Sequence, residues 1–316
     1  MSEVVLLARR WLGLLLIAFS CALPVEATAW ADGESPDGPP AAARDAQKSG
    51  PRTLLDSIVG ARGATDTEGP DGEGRIDPDR PHLPEAVTTV GIGRAVLESG
   101  YDYTQRGSFF SHSYPEALLR VGVLAEWFEL RIGQNVLTEQ QAVDGLKTTV
   151  TGAQDMYVGF KLALTEQKQY LPAVAVIPQA TLPTGSRSET AGKVLPGLNV
   201  DCAWEVIEKL FSVETVVATN RVLNDDHNAQ LHGTHLEVTT GLTFVVSATR
   251  QLEVFAEWDA FYPVTGSGRD SQPRDYAVGG LVYFFTNNFE MDVRAGVGLN
   301  RSANDFLVGT GLAVRY

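Results

Sequence analysis

The chain has 316 residues, 44% of them hydrophobic, with 25 basic and 39 acidic side chains for a net charge of -14, 31 glycines and two cysteines. This profile suits a folded protein and excludes a long disordered chain, a coiled coil and a disulfide-stapled mini-domain. It also sits far from the clustered Lys/Arg profile of a nucleic-acid binder.

At the N-terminus, Arg9 and Arg10 precede an apolar run from Trp11 to Leu23. Ala27-Thr28-Ala29 and Ala29-Trp30-Ala31 then both offer small-x-small cleavage spacing, so residues 1–31 read as a cleaved secretory signal peptide. The run falls short of the roughly 20 apolar residues that span a bilayer, which ranks a membrane helix second. A lipoprotein anchor at Cys21 is the other alternative, although Ala18-Phe19-Ser20 matches a lipobox poorly. Cleavage leaves Cys202 alone, so the mature chain makes no internal disulfide in spite of its oxidising destination.

Residues 32–86 are dominated by Gly, Pro, Asp, Ala and Glu. Such a stretch buries too little apolar surface to offset its ordering entropy and is predicted to be a disordered acidic periplasmic tether. One short helix is predicted over Thr53 to Val59, with Leu54, Leu55, Ile58 and Val59 on one face and Thr53 as the cap.

From residue 87 to 316 the pattern has period two. Phe306, Val308, Thr310, Leu312, Val314 and Tyr316 alternate with Leu307, Gly309, Gly311, Ala313 and Arg315, and the same dyad recurs over 235–246 and 289–300. The segmentation predicts twelve strands at 88–105, 113–124, 126–138, 153–165, 170–183, 195–207, 211–223, 234–248, 251–263, 274–286, 288–299 and 305–316. The even number suits an all-β, up-and-down antiparallel transmembrane barrel with both ends on one side of the membrane. The connections alternate long and short, with Gln140 to Gly152, Thr184 to Lys193, Asn224 to Gly233 and Val264 to Pro273 as outer loops and Thr249-Arg250 and Asn287 as periplasmic turns. A soluble sandwich reads the same alternation as core-in, water-out, but has no reason to keep that rhythm.

In a membrane barrel the outward residues meet lipid and the inward ones meet water. An interfacial girdle is predicted from Tyr101, Tyr103, Phe128, Trp204, Phe211, Trp258, Tyr262, Tyr276, Phe284, Phe289, Phe306 and Tyr316. On the inward face, alternation places Arg94, Glu98 and Asp102 in the first strand, and Arg120, Glu129 and Arg131 in the next two. Asp155, Lys161, Asp201, Glu205 and Glu214 follow. The C-terminal strands add Glu237, Glu253, Glu257, Asp259, Glu290, Asp292, Arg294 and Arg315. The excess of carboxylates describes a wet lumen that favours cations or polar solutes. The competing reading is an interior salt-bridge lattice around Glu98, Glu129, Arg131, Asp292 and Arg294 that plugs a narrow barrel.

Several segments resemble an outer-membrane transporter family named for the MetA-pathway of phenol degradation. They are Asp79-Arg80-Pro81-His82, Gly93-Arg94-Ala95-Val96-Leu97-Glu98-Ser99-Gly100-Tyr101, Leu182-Pro183-Thr184-Gly185 and, most strongly, Asp292 to Asn300 and Asp305 to Leu312. The resemblance spans 77–316, with Pro78 and His82 departing from the usual residues. It implies an outer-membrane location, aromatic-solute uptake, and Tyr316 as the terminal aromatic read by the barrel-assembly machinery.

Other chemistry is weaker. His227, His232 and His235 beside Asp225 and Asp226 have metal-ligand character but fall in a solvated loop. Gly185 to Lys193 fails the phosphate-loop spacing, and Val194 stands where Ser or Thr is needed. His112 between Ser111 and Ser113 is the nearest approach to a hydrolase site, without a nucleophile elbow. The sequence therefore predicts a passive outer-membrane channel for small solutes with lipid as its surroundings, no cofactor, no metal, no nucleic-acid partner and no enzymatic step. The alternative is a structural or envelope-interaction barrel with a plugged lumen.

Overall fold

The computed structural model describes residues 52–59, 74–143, 146–224, 233–265 and 271–316, all within a unit running from Lys48 to Tyr316. The predicted signal peptide and most of the predicted tether lie outside these residues. The short helix forms as predicted: α1 (Leu54–Val59) is capped by Thr53, whose Oγ1 accepts the Asp56 N–H at 3.1 Å.

The strands are β1 (Ala95–Arg106), β2 (Phe109–Gly122), β3 (Phe128–Val143), β4 (Leu146–Ala153), β5 (Met156–Thr165), β6 (Ala173–Leu182), β7 (Leu195–Ile207), β8 (Phe211–Leu223), β9 (Thr234–Ser247), β10 (Leu252–Pro263), β11 (Arg274–Thr286), β12 (Phe289–Gly298) and β13 (Phe306–Arg315). All pairings are antiparallel, and β13 returns to β1 from Val96↔Arg315 to Gln105↔Phe306, which closes the sheet into a barrel. Twelve strands make the ring. The thirteenth, β4, pairs only with the far half of β3, from Val136↔Ala153 to Val143↔Leu146, whereas β5 pairs with the near half. Residues predicted as the second outer loop are thus a hairpin that prolongs the barrel wall.

Side-chain exposure is inverted relative to a soluble protein. On β12, Met291 and Val293 are 42% and 50% exposed, whereas Asp292 between them is 1% exposed. Leu97, Leu130, Ile132, Phe244 and Val246 point outward in the same way, while Glu98, Glu129, Arg131 and Thr243 are buried within. Apolar out and charged in is the arrangement a lipid surround demands, and it removes the soluble-sandwich alternative.

Several strand bounds differ from expectation, most of all around the first two strands. Residues 88–94 do not belong to the first strand, which begins at Ala95. The first outer connection is a tight turn, because Gly107 at φ 57 reverses the chain and lets β1 and β2 run on to it. Two girdle residues also turn inward. Tyr276 and Phe284 are buried on β11, where Phe284 joins Ile76, Val90, Val96, Val282 and Ala313 in an interior apolar cluster.

Candidate functional site

The inward charges of the barrel are spent on a segment of the same chain. Residues 76–91, the end of the predicted tether and the start of the predicted first strand, lie inside the barrel, and the exposed residues 92–94 link them to β1. The segment enters beside the β11–β12 turn, where the Ile76 N–H donates to Asn287 O at 2.7 Å and Arg315 Nη2 donates to Gly74 O at 2.7 Å. It then folds back on itself through Thr88 Oγ1 to Asp77 Oδ2 at 2.5 Å and Ala86 N–H to Asp79 Oδ1 at 3.0 Å.

Lumen carboxylates receive its backbone donors. Glu98 accepts the N–H groups of Asp79 and Arg80, Glu257 that of Leu83, Asp201 that of Glu85 and Glu129 that of Val90, at 2.9 to 3.1 Å. Lumen cations reach its carbonyls: Arg120 Nη1 to Asp77 O at 2.9 Å, Arg294 Nη1 to Pro81 O at 2.8 Å and Lys161 Nζ to Ala86 O at 2.6 Å. These anchors come from strands all around the ring, so the segment crosses the lumen and acts as a plug.

Asp79 is the centre of the lattice. Its carboxylate meets Arg131 Nη1 at 2.6 Å, Lys161 Nζ at 2.7 Å and Arg120 Nε at 3.4 Å. Burial alone would raise its pKa, but the three cations outweigh that and hold it well below the usual carboxylate range. Glu85 differs. Burial pushes its carboxyl up in spite of the ion pair with Arg131. His82 Nδ1 lies 3.3 Å from Glu214 Oε2, and the ring meets Phe255 edge-on at 4.4 Å between centroids. Burial lowers its pKa, yet the hydrogen bond and charge of Glu214, with Glu257 and Glu253, raise it overall.

The predicted lumen residues therefore divide. Glu98, Arg120, Glu129, Arg131, Lys161, Asp201, Glu214, Glu257, Asp292 and Arg294 all gather around the plug, Asp292 through Arg80 Nε at 3.4 Å. Glu237 pairs with Arg274 higher in the lumen. Four do not line the lumen's middle. Arg94 is exposed in the link before β1, and Glu205 is exposed near the end of β7, where the ladder to β8 shifts register and its side chain accepts the Lys209 N–H. Asp155 sits at the β4–β5 junction and accepts the N–H groups of Gly185 and Ala191 at 2.9 Å, pinning the 183–194 connection. Arg315 is at the entrance of the plug.

Tyr316 is exposed, and its main chain bonds Ala95 across the closing seam. His112 bonds Tyr101 Oη at 2.7 Å, whereas Ser113 bonds Glu116, so no Ser–His pair forms. His227 and His232 lie outside the described residues, and His235 bonds Asn224 Oδ1 at 2.9 Å.

Sequence reasoning missed the plug. The available signal was the set of inward glycines. A Cβ at Gly241 would meet Leu83 Cδ2 at 3.1 Å and Pro84 Cδ at 3.3 Å, and one at Gly122 would overlap the Gly91 carbonyl.

Beyond the plug tip a cavity of about 300 Å³ remains, with His82 and Leu83 as part of its lining. Its wall includes an apolar sector formed by Phe261, Tyr276, Val278 and Leu307.

A closed barrel with an apolar exterior, an ion-paired interior and a plug from its own N-terminal segment is a membrane β-barrel of the porin-like class. The family described as "Putative MetA-pathway of phenol degradation" matches residues 78–316, and the chain belongs to that family. No curated protein matches it. Among solved structures, the COG4313 outer membrane channel from Pseudomonas putida F1 superposes with a TM-score of 0.58 at 13% identity, covering 75% of this chain and 100% of that one. This likeness is one of fold. The NanC porin gives a TM-score of 0.46 at 8% identity, with 69% and 98% covered. The CymD monoaromatic hydrocarbon channel gives 0.40 at 11%, with 71% and 88% covered.

Proposed function

We propose that the protein is an outer-membrane channel for passive uptake of small solutes, gated by its own residues 76–91. The observation that carries this reading is the nature of the plug's attachment. It is held largely by hydrogen bonds and ion pairs to the wall, contacts that water can replace, with Ile76 and Val90 adding one apolar cluster, while the barrel closes on itself without it. Displacing it would leave a lumen lined by carboxylates and cations, suited to polar passage. An aromatic or hydrophobic compound is the first solute class to screen, since the family's description names phenol degradation.

The apolar exterior supports an outer-membrane setting, and the exposed Tyr316 at the closing seam supports recognition by the barrel-assembly machinery. A second reading, a structural barrel with a permanent plug, is favoured by the density of the Asp79 lattice.

Planar-bilayer conductance of the full chain separates the two. The channel reading expects small cation-preferring steps from the wild type and larger ones from Arg80→Ala, which loses the contacts to Glu116, Asp292 and Thr310 O. Silence from both, with the barrel folded by gel mobility, would leave the structural reading.

A further inference from the structure

We propose that the cavity above the plug binds a small amphiphilic cation, an apolar body carrying one ammonium group, with Asp259 as the counter-charge. The inference deepens the channel reading and rests on it for the ligand's route into the lumen, not for the binding itself.

The cavity's charges can be matched one by one. Arg294 is committed to Asp102 through Nε and Nη2, and to Pro81 O through Nη1. Arg274 is committed to Glu237 and lies over the Phe261 ring, 5.4 Å from its centroid. Each of these cations thus has its carboxylate, and each of those carboxylates its cation. Asp259 has none. It is only 7% exposed, and its Oδ1 is buried without a hydrogen-bond partner among the described residues.

Its neighbour on the same face of β10, Glu257, is hydrogen-bonded to it, so the two carboxyls share a proton, and Glu257 also accepts the Leu83 N–H at 2.9 Å and the Thr243 hydroxyl at 2.5 Å. Two buried carboxyls in this state hold back one charge by sharing a proton, and an incoming group with N–H donors and positive charge would displace that proton to solvent and pair the carboxylate it leaves. An anion would face an unmatched negative charge instead.

Shape fixes the rest of the ligand. Phe261 and Tyr276 meet edge to face with centroids 5.9 Å apart, and Val278, Leu307 and Leu83 complete an apolar wall. About 300 Å³ is at the small end of ligand pockets and suits a single ring or a short alkyl chain.

Titration calorimetry on the full-length barrel in detergent tests this with three probes sharing one body: 2-phenylethylammonium, 2-phenylethanol and phenylacetate. The ammonium is expected to bind at least tenfold more tightly than the alcohol, and phenylacetate more weakly still. Asp259→Asn should weaken the ammonium tenfold or more and leave the alcohol unchanged. Glu208→Gln, in the exposed turn between β7 and β8 and paired with Lys209, should change neither. Equal binding of ammonium and alcohol by the wild type, no ammonium binding, or an unaltered Asp259→Asn would each overturn the proposal. The wild-type probe series decides even if the variant does not fold. Calorimetry does not depend on conduction. A silent bilayer with ammonium binding would sink the channel reading alone, and conductance without ammonium binding would sink this inference alone.

Discussion

Gly100 on β1 and Gly311 on β13 are direct cross-strand partners, and the Arg80 guanidinium rests on the bare backbone they leave. A Cβ on either would overlap it. With Gly122 beneath the Gly91 carbonyl and Gly241 beneath Leu83 and Pro84, inward glycines trace the plug's footprint on the wall. Charge binds the plug, and missing side chains make room for it.

Filling that footprint should therefore release the plug without opening the barrel. Gly311→Leu places a side chain where Arg80 lies, on a strand whose ladder to β12 and β1 is otherwise untouched. Hydrogen exchange read by mass spectrometry should show faster exchange over residues 76–90 and unchanged protection in β12 and β13. Faster exchange throughout would mean that the glycine serves the wall and not the plug.

Asp79 should be the plug's most sensitive position. Removing one partner from a buried ion-pair cluster costs about 3–5 kcal/mol, because the remaining charges stay desolvated. Asp79→Ala leaves Arg131 and Lys161 without their 2.6 and 2.7 Å partner. Exchange over the plug should rise by roughly a hundredfold or more, since about 1.4 kcal/mol is a factor of ten. A change below about tenfold would show that the backbone bonds to Glu98, Glu257 and Asp201 hold the segment by themselves.

His82 gives the attachment a pH dependence of known sign. Its pKa in the folded protein lies above the ordinary 6.5, because Glu214, Glu257 and Glu253 together overcome the effect of burial. The stabilisation is thus complete below the unfolded value and is lost as pH rises through the folded one. Plug protection should be greatest in mild acid and fall on the alkaline side of 6.5. His82→Gln should flatten that part of the profile; an unchanged profile would assign the pH response to other groups.

The barrel was legible in the sequence and the plug was not, for a physical reason. Strands β7, β8 and β11 have the predicted bounds of 195–207, 211–223 and 274–286, because an apolar-out alternation cannot slip by one residue without turning charge toward lipid. The tether prediction for 32–86 rested on the segment's inability to build a core of its own. That argument is sound for an isolated segment, yet residues 76–86 borrow an interior made by others and are ordered chiefly by polar contacts to it, with Ile76 alone packed in its apolar cluster. Glu98, Arg120, Glu129 and Arg131 are buried within the ring, but alternation says only which face a residue occupies, not what it holds. The occupant includes Asp79-Arg80-Pro81-His82, four residues whose own composition carries no sign of the wall that binds them.

The β3–β4 hairpin should be dispensable for closure. Ring pairing of β3 uses Phe128 to Gly133 with β5, whereas Val136 to Val143 pairs only with β4 and β2, and β4 is exposed along most of its length. Replacing residues 139–150 by a two-residue turn should leave thermal unfolding and gel mobility unchanged. A marked loss of stability would make the hairpin part of the folding core.

The inverted exterior makes the most direct prediction about surroundings. Val293 stands at the centre of β12, half exposed between the buried Asp292 and the partly buried Arg294, with Thr310 as its partner on β13. If the exposed face meets hydrocarbon, Val293→Arg should cost about 2–4 kcal/mol of folding free energy in phosphatidylcholine vesicles, measured by urea titration. At a water-facing position the same change is worth within about 0.5 kcal/mol. Arginine at Val206, exposed at the end of β7 next to the turn, should cost close to nothing, since the penalty fades toward the interface. A position-independent cost would deny the lipid surround. A cost that peaks at Val293 and vanishes at Val206 would locate the hydrocarbon on the outer surface, where the apolar side chains already point.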